Sequence, residues 1–220
     1  SKRSAGPPRG CPPVAALLPA GSYLLVLRAP GRVETRYPVC VARGGAWKGT
    51  VRLPTVEEYP PLPPGARTKD PPASWCFLPG GPFRMGLDPS AHSPLDAEAR
   101  HVDDVFVARY EVSLAEWLEF LNDPQVQARI ENAEGLLTRV PRRTVAYNPS
   151  LFRGPDGLYL LPMGWWERPV FAVSHRDAGF YLEWVRKQFP LREGCEIDLA
   201  REEEWEKAGR GVDGRAYPWG

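Results

Sequence analysis

The spacing of apolar residues predicts amphipathic helices in the second half of the chain. In the first, apolar side chains recur at i, i+3, i+4 and i+7 and form one stripe: Leu114, Trp117, Leu118 and Leu121. Ser113 and Glu116 have the spacing of a capping box, which satisfies free N–H groups at a helix start. The helix is expected to end at residues 122–124, where Asn-Asp-Pro follows the stripe.

Two further helices are predicted nearer the C-terminus. Ser174 and Asp177 are expected to cap one of them, whose buried face would be Ala178, Tyr181, Leu182 and Val185. The other begins at Glu202, where negative charge complements the helix dipole. Its Glu203 and Lys207 are four residues apart and are expected to form a surface ion pair. The acidic residues of this helix are therefore interpreted as structural rather than as acid/base catalysts.

Strands are predicted on both sides of a proline-rich segment. Residues 22–28, 35–42 and 47–53 are rich in β-formers, with Pro30-Gly31 placed for a turn. Further along the chain, alternation predicts a strand at residues 102–110. Residues 125–165 are interpreted as a weakly patterned insertion that contains a hairpin turn at Pro155-Asp156-Gly157.

These patterns divide the chain into four parts. Residues 1–13 contain mainly proline, glycine and basic side chains and are expected to be the remnant of a flexible linker. Residues 14–57 are predicted to form a small all-β, sandwich-like module. Residues 58–74 carry six prolines and are expected to form a semi-rigid, exposed linker. Residues 75–220 are predicted to be one α+β domain, and the chain is interpreted as a fragment of a longer protein.

Charge and composition exclude several kinds of partner. The 220 residues include 28 basic and 27 acidic side chains, with a net charge of +1 and no basic stripe, so neither nucleic acid nor a membrane surface is indicated. The four cysteines are far apart in sequence and form no CxxC motif, which favours reduced thiols in a cytoplasmic protein. They are Cys11, Cys40, Cys76 and Cys195. The three histidines are far apart in sequence, so no metal site is predicted.

Four motifs occur in one order between Trp75 and Gly220. They are Pro-Gly-Gly-Pro-Phe-Arg-Met-Gly (79–86), Glu-Val-Ser (111–113), Pro-Val-Phe-Ala-Val-Ser (169–174), and Glu-Glu-Glu-Trp-Glu (202–206) followed by Tyr-Pro-Trp-Gly (217–220). Together they resemble the formylglycine-generating-enzyme, or sulfatase-modifying-factor, family. The resemblance implies the N-terminal part of a compact α+β variant of the C-type-lectin fold. It also implies a strand within residues 75–86 and a buried strand at residues 168–174 that runs into a helix.

Residues 19–32 resemble a recurring segment of PEGA-type β modules, Pro-x-Gly-x-Tyr-x-Leu-x-Leu-x-Ala-Pro-Gly. A PEGA-like module before such a domain resembles bacterial fusions of a Ser/Thr protein kinase to a formylglycine-generating-enzyme-like domain. Asp-Phe-Gly is absent, and the His-Arg-Asp at residues 175–177 lacks the asparagine that follows five residues later in kinases, so a fused kinase is expected upstream of Ser1.

Two positions depart from the family pattern. Arg201 stands where the family has a capping threonine, and His175 stands where it has a tryptophan after Val-Ser. These departures favour a domain that has lost its catalytic role. In active members copper-dependent oxidation uses a cysteine pair in the later part of the domain, and Cys76 and Cys195 do not match its context. No catalytic residue and no cofactor is therefore assigned here; the resemblance implies copper, or structural calcium, only for the complete domain.

The adjacent Trp165 and Trp166 are the strongest candidates for ligand binding. Two neighbouring tryptophans in one strand cannot both face the core, and exposed aromatic residues favour recognition. Tyr147 and His175 are assigned to the same candidate surface.

Three functional hypotheses follow. The first is a non-catalytic domain that binds or senses a protein, peptide or small molecule. The second is a copper-dependent formylglycine-generating oxidase whose cysteines lie beyond Gly220. The third is a variable display protein of a diversity-generating retroelement. In each case a complementary C-terminal segment of the same domain is the expected partner of this part of the chain.

Overall fold

The computed structural model describes residues 15–62, 71–86, 96–131, 152–188, 191 and 193–218. Cys11, Tyr147 and the predicted linker at residues 1–13 therefore lie outside the described residues. Among the described residues, no helix is both long and apolar enough to cross a bilayer.

The N-terminal part is an antiparallel hairpin of β1 (Gly21–Leu27) and β2 (Thr35–Val41), which confirms the first two predicted strands. Its inner face is buried and carries Thr35, Tyr37 and Val39. Leu24 and Val26 lie on the opposite face and are exposed. Alternation along each strand thus gives the hairpin one packed side.

The prediction of a third strand at residues 47–53 is wrong. The segment forms no strand and instead folds back onto the hairpin, where the Trp47 ring lies 5.2 Å from that of Tyr37. The Val33 N–H donates to the carbonyl of Pro54 at 2.8 Å, and a single 3₁₀ turn follows at Val56–Glu58. Because Trp47 packs on the buried face of the hairpin, this segment does not add a third strand to it.

The prediction of an exposed linker is wrong for residues 58–62, because these residues are half-buried. The Tyr59 ring packs 4.7 Å from that of Phe106 in the following domain. A short helix α1 (Pro71–Ser74) then leads directly into β3 (Trp75–Leu78).

Two antiparallel ladders follow α1 in the chain. β3 pairs with β6 (Val105–Ala108), and β4 (Gly81–Met85) pairs with β5 (Glu98–Val102). The predicted strand over residues 102–110 is thus divided by a turn at residues 103–104. Phe83, Met85 and Val102 form a small core against which Val105 and Val212 pack.

Helices α2 (Leu114–Asn122) and α4 (His175–Gln188) supply the main core. Both predicted capping boxes are present: the Glu116 N–H donates to Ser113 Oγ at 3.2 Å, and that of Asp177 to Ser174 Oγ at 3.1 Å. Four aromatic rings pack between the helices at centroid distances of 5.1–5.8 Å: Trp117, Phe120, Tyr181 and Trp184. Each such pair contributes roughly 0.5–1.5 kcal/mol beyond simple burial.

The expected irregular insertion begins with a helix, α3 (Pro124–Glu131). Asp123 caps it, since its Oδ1 accepts the Gln125 N–H at 2.8 Å, and proline suits the first helical position. Asn-Asp-Pro is therefore a junction between two helices rather than only a stop. The predicted hairpin turn at residues 155–157 is confirmed between β7 (Phe152–Arg153) and β8 (Tyr159–Leu160).

The predicted buried strand at residues 168–174 is wrong, although a capped helix follows it as expected. Pro169 forms only an isolated bridge with Ser113, and the Val170 N–H donates to the Val112 carbonyl at 2.8 Å. Ala172 then adopts a φ of 59°, the only positive value among the described non-glycine residues. Left-handed backbone cannot continue a strand.

Replacing Ala172 by glycine should stabilise the protein. Left-handed backbone costs an L-residue about 1–2 kcal/mol, while glycine loses more entropy on folding, so the net gain in the free energy of unfolding should be about 0.5–1 kcal/mol. Thermal or urea unfolding would measure it. The matched control is Ala178→Gly inside α4, which should cost about 1 kcal/mol. Destabilisation by both substitutions would show that residue 172 is not strained.

Candidate functional site

The loop between β8 and α4 is fixed to the start of α2 by backbone hydrogen bonds. The Ala115 N–H donates to the Trp166 carbonyl at 3.0 Å, and the Leu114 N–H donates to the Arg168 carbonyl at 2.7 Å. The first N–H groups of a helix have no partner within the helix, so the loop carbonyls satisfy them. The loop is thereby held against one of the best-packed helices of the domain.

The two adjacent tryptophans in this loop have different environments. Trp165 is partly buried against the main core, and the Arg168 guanidinium lies 4.0 Å from its ring centroid. Trp166 is 48% exposed, and the nearby Met163 is 95% exposed. The expectation that at least one of the pair is exposed is therefore confirmed. That these residues bind a ligand stays a prediction.

His175 is the first residue of α4 and is exposed. The next residue, Arg176, places its guanidinium 5.6 Å from the ring centroid of Phe180. The structure thus places three of the four predicted residues on the loop and the helix that it enters, whereas Tyr147 lies outside the described residues.

A buried carboxylate lies at the same helix start. Asp177 is 1% exposed, and its Oδ2 accepts from the Ser174 N–H and hydroxyl at 3.2 and 2.7 Å. Its Oδ1 has no hydrogen-bond partner among the described residues. The sequence indicated the cap, but it could not show that one oxygen would be left unpaired.

A cavity of about 300 Å³ lies between α3 and α4, where no sequence pattern predicts one. Aromatic and aliphatic side chains of the core form part of the wall, together with polar residues: Phe120, Gln125, Val126, Phe180, Trp184, Lys187 and Gln188. None of the predicted binding residues lines it.

The described residues do not fit a copper–thiolate centre. Cys40, Cys76 and Cys195 are free and exposed. Among the described residues, no group of three or more His, Cys, Asp or Glu side chains could hold a metal ion. No catalytic step is therefore assigned to these cysteines.

Helix α5 (Glu202–Arg210) uses its polar residues for structural contacts. The predicted ion pair between Glu203 and Lys207 is wrong, because Lys207 is 3% exposed and its Nζ donates to the carbonyls of Pro79 and Gly81 at 2.8 and 3.0 Å. A lysine stem is long and apolar enough to reach into the domain.

The same helix also contacts the far end of β4. Glu206 Oε1 accepts the Gly86 N–H at 2.7 Å, and Arg210 Nη1 donates to the Gly86 carbonyl at 2.9 Å. At the start of α5, Glu204 accepts the Arg201 N–H at 2.8 Å, so half of a capping box forms without the threonine. These carboxylates have structural partners, as the sequence predicted.

Burial lowers the pKa of Lys207 to about 8 from its ordinary 10.5, although the nearby Asp104 carboxylate opposes the shift. Above pH 8 the unfolded chain still holds a proton that the folded chain has lost, so stability rises with pH. From pH 8 to about 9.5, wild type should gain roughly 1–2 kcal/mol in the free energy of unfolding relative to Lys207→Met. Urea unfolding across this range would measure the difference.

Lys187→Met removes one positive charge from an exposed site and serves as the control. The range stops short of pH 10 because burial raises the pKa of Tyr37 and Tyr59, whose ionisation in the unfolded chain would then lower stability. Parallel pH profiles for wild type and Lys207→Met would contradict the assignment of a buried, partly deprotonated lysine.

Comparison with known proteins supports the family resemblance. A family profile described as "Sulfatase-modifying factor enzyme 1-like domain" matches residues 60–220. The chain is 31% identical over 178 residues to the formylglycine-generating enzyme of Bos taurus, covering 71% of this chain and 45% of that protein. It is 28% identical over 162 residues to the inactive C-alpha-formylglycine-generating enzyme 2 of Mus musculus, covering 65% and 49%.

A further relative is the hercynine oxygenase of Mycolicibacterium smegmatis, 32% identical over 157 residues, with 66% of this chain and 34% of that protein covered. The chain thus spans less than half the length of these curated relatives. No solved structure matches it significantly. The profile covers well over half of the chain. The matched residues contain the four ordered motifs, and they also contain α5 and the two ends of β4 that it contacts. The chain therefore belongs to the sulfatase-modifying factor enzyme 1-like family.

Proposed function

We propose that this chain is part of a non-catalytic domain that binds or senses a protein, peptide or small molecule. The observation that carries the proposal is the loop with Trp166 and Met163, two exposed apolar side chains on backbone tied to α2. Large exposed aromatic side chains on a rigid support are well suited to recognition. A relative named as inactive is consistent with this role, although another relative is a named formylglycine-generating enzyme.

The proposal includes the finer architecture. The complete domain would have the C-type-lectin-like fold of the family, and the hairpin with residues 42–57 would be a reduced PEGA-like module. A fused Ser/Thr kinase upstream would place the protein in a bacterial cytoplasm.

The outer face of α5 is proposed to pack against a complementary segment of the same domain. Trp205 is 68% exposed there, and Leu199 and Tyr217 nearby in sequence are also exposed. The curated relatives are more than twice as long as the part that this chain matches. Contact with further protein explains the exposure of this tryptophan more simply than a permanently solvated tryptophan side chain does.

A turnover experiment tests the non-catalytic assignment. Full-length protein would be incubated with copper and a peptide containing Cys-x-Pro-x-Arg, and the cysteine would be followed by mass spectrometry. We expect the peptide mass to stay unchanged, while an active formylglycine-generating enzyme in parallel converts it. Oxidation of that cysteine would refute the proposal and establish the copper-dependent oxidase.

A second experiment tests the binding surface directly. Peptides would be selected from a displayed library against the full-length protein, and their affinities would be measured by calorimetry. Trp166→Ala should weaken binding at least about tenfold, as expected for an aromatic anchor worth more than 1.4 kcal/mol. Leu24→Ala, which shortens an exposed apolar side chain on the hairpin, is the control and should leave the affinity unchanged. Equal affinities of wild type and Trp166→Ala would exclude this loop as the site.

A further inference from the structure

The turn at residues 79–81 is held by side chains from separate parts of the chain. Lys207 of α5 donates to the carbonyls of the first and third residues of the turn. Asp104, from the turn between β5 and β6, accepts the N–H of Gly80 at 2.6 Å. A Cβ at Gly80 would lie 3.1 Å from Asp104 Oδ1, so this close approach favours glycine.

The N-terminal hairpin supplies a third contact to the same turn. Tyr37 is 6% exposed, and a Cβ at Gly81 would lie 2.7 Å from its hydroxyl oxygen. Gly81 also has a φ of 135°, which L side chains rarely adopt. The Trp47 ring also packs on this tyrosine, with the ring centroids 5.2 Å apart. The turn is thus packed directly against the buried face of the hairpin.

Asp104 connects this turn to the segment that follows the hairpin. Its Oδ2 accepts from Arg52 Nε at 2.8 Å, and the same guanidinium donates to Glu58 Oε2 at 3.2 Å and lies 5.2 Å from the Phe77 ring centroid. One carboxylate therefore joins residues that are 24 and 52 positions away in sequence.

The other end of the hairpin lies near the residues after α5. The Arg215 guanidinium and, to a lesser extent, the Ser22 side chain of β1 hold the pKa of Asp213 well below its ordinary range. Arg215 Nη2 donates to Asp213 Oδ2 at 2.6 Å. The hairpin therefore packs against the turn that Lys207 holds and lies close to the segment that follows α5.

We propose that the hairpin is an intramolecular partner of α5, coupled to it through Tyr37, Arg52, Asp104 and the turn at residues 79–81. Undocking of the hairpin loosens this turn, and the buried Lys207 then loses the geometry that fixes α5. The N-terminal hairpin and α5 thus form one cooperative unit. The hairpin is not a spacer beside an independent domain. This coupling is separate from the proposed binding function, because it does not involve the loop that carries Trp166.

Amide hydrogen exchange of the full-length protein tests the coupling. Arg52→Met removes the guanidinium and keeps an apolar stem of similar length. We expect at least threefold faster exchange both in the hairpin and in α5, with no change in the α2 and α4 core. The matched control is Arg28→Met, which removes an exposed ion pair with Glu34 within the hairpin itself. It should leave α5 unaffected.

Coupling between two elements must act in both directions. Lys207→Met should therefore accelerate exchange in the hairpin as well as in α5. Faster exchange in the hairpin alone after Arg52→Met, or no change in either element, would overturn the proposal. A uniform acceleration that includes α2 and α4 would also overturn it, since that is the signature of global destabilisation.

Discussion

The burial of the Lys207 ammonium group is the constraint on which the described contacts of α5 depend. Burying a charge is costly unless hydrogen bonds replace its lost water, and here two backbone carbonyls do so. Those carbonyls belong to Pro79, just before β4, and to Gly81, its first residue, while Glu206 and Arg210 bind Gly86 immediately after the strand. One helix thus holds both ends of one strand, and neither element can shift along the other without breaking several charge-assisted hydrogen bonds.

This geometry gives a structural meaning to the Glu-Glu-Glu-Trp-Glu motif and to Lys207 and Arg210, which follow it. Glu206, Lys207 and Arg210 face the domain and bind backbone groups, whereas Trp205 faces outward. Backbone groups are present whatever side chains occupy β4, so such contacts specify how the chain folds rather than what it binds. The presence of this motif therefore identifies the fold and carries no information about catalysis.

Local patterns predicted the helices well and the irregular segments poorly. The capping boxes at Ser113 and Ser174 are short-range signals that need no knowledge of the rest of the fold, and both are present. Residues 47–53 have β-forming side chains, but strand propensity depends on a neighbouring strand, and here Trp47 packs across the hairpin instead. The positive φ of Ala172 has no sequence signal at all.

The candidate site could be predicted only in part, for the same reason. Adjacent tryptophans indicated that one must be exposed, but which one depends on the Arg168 side chain over Trp165 and on the core beneath it.

Helical spacing could not show whether the Lys207 side chain points to the surface or into the core. An i, i+4 ion pair with Glu203 and burial of the lysine fit the same sequence equally well. Proline content suggested an exposed linker, whereas Tyr59 reaches a partner in the next domain.

The two surfaces that carry the proposals are supported by different parts of the fold. The loop with Trp166 is bonded to α2 and packed on the aromatic core, whereas the exposed face of α5 is held through β4 and the hairpin. A ligand on a loop that is already ordered costs little conformational entropy on binding. Binding there would also leave the contacts of Lys207 intact. Substitutions in the loop that carries Trp166 can therefore alter what this loop binds without breaking the hydrogen bonds that hold α5.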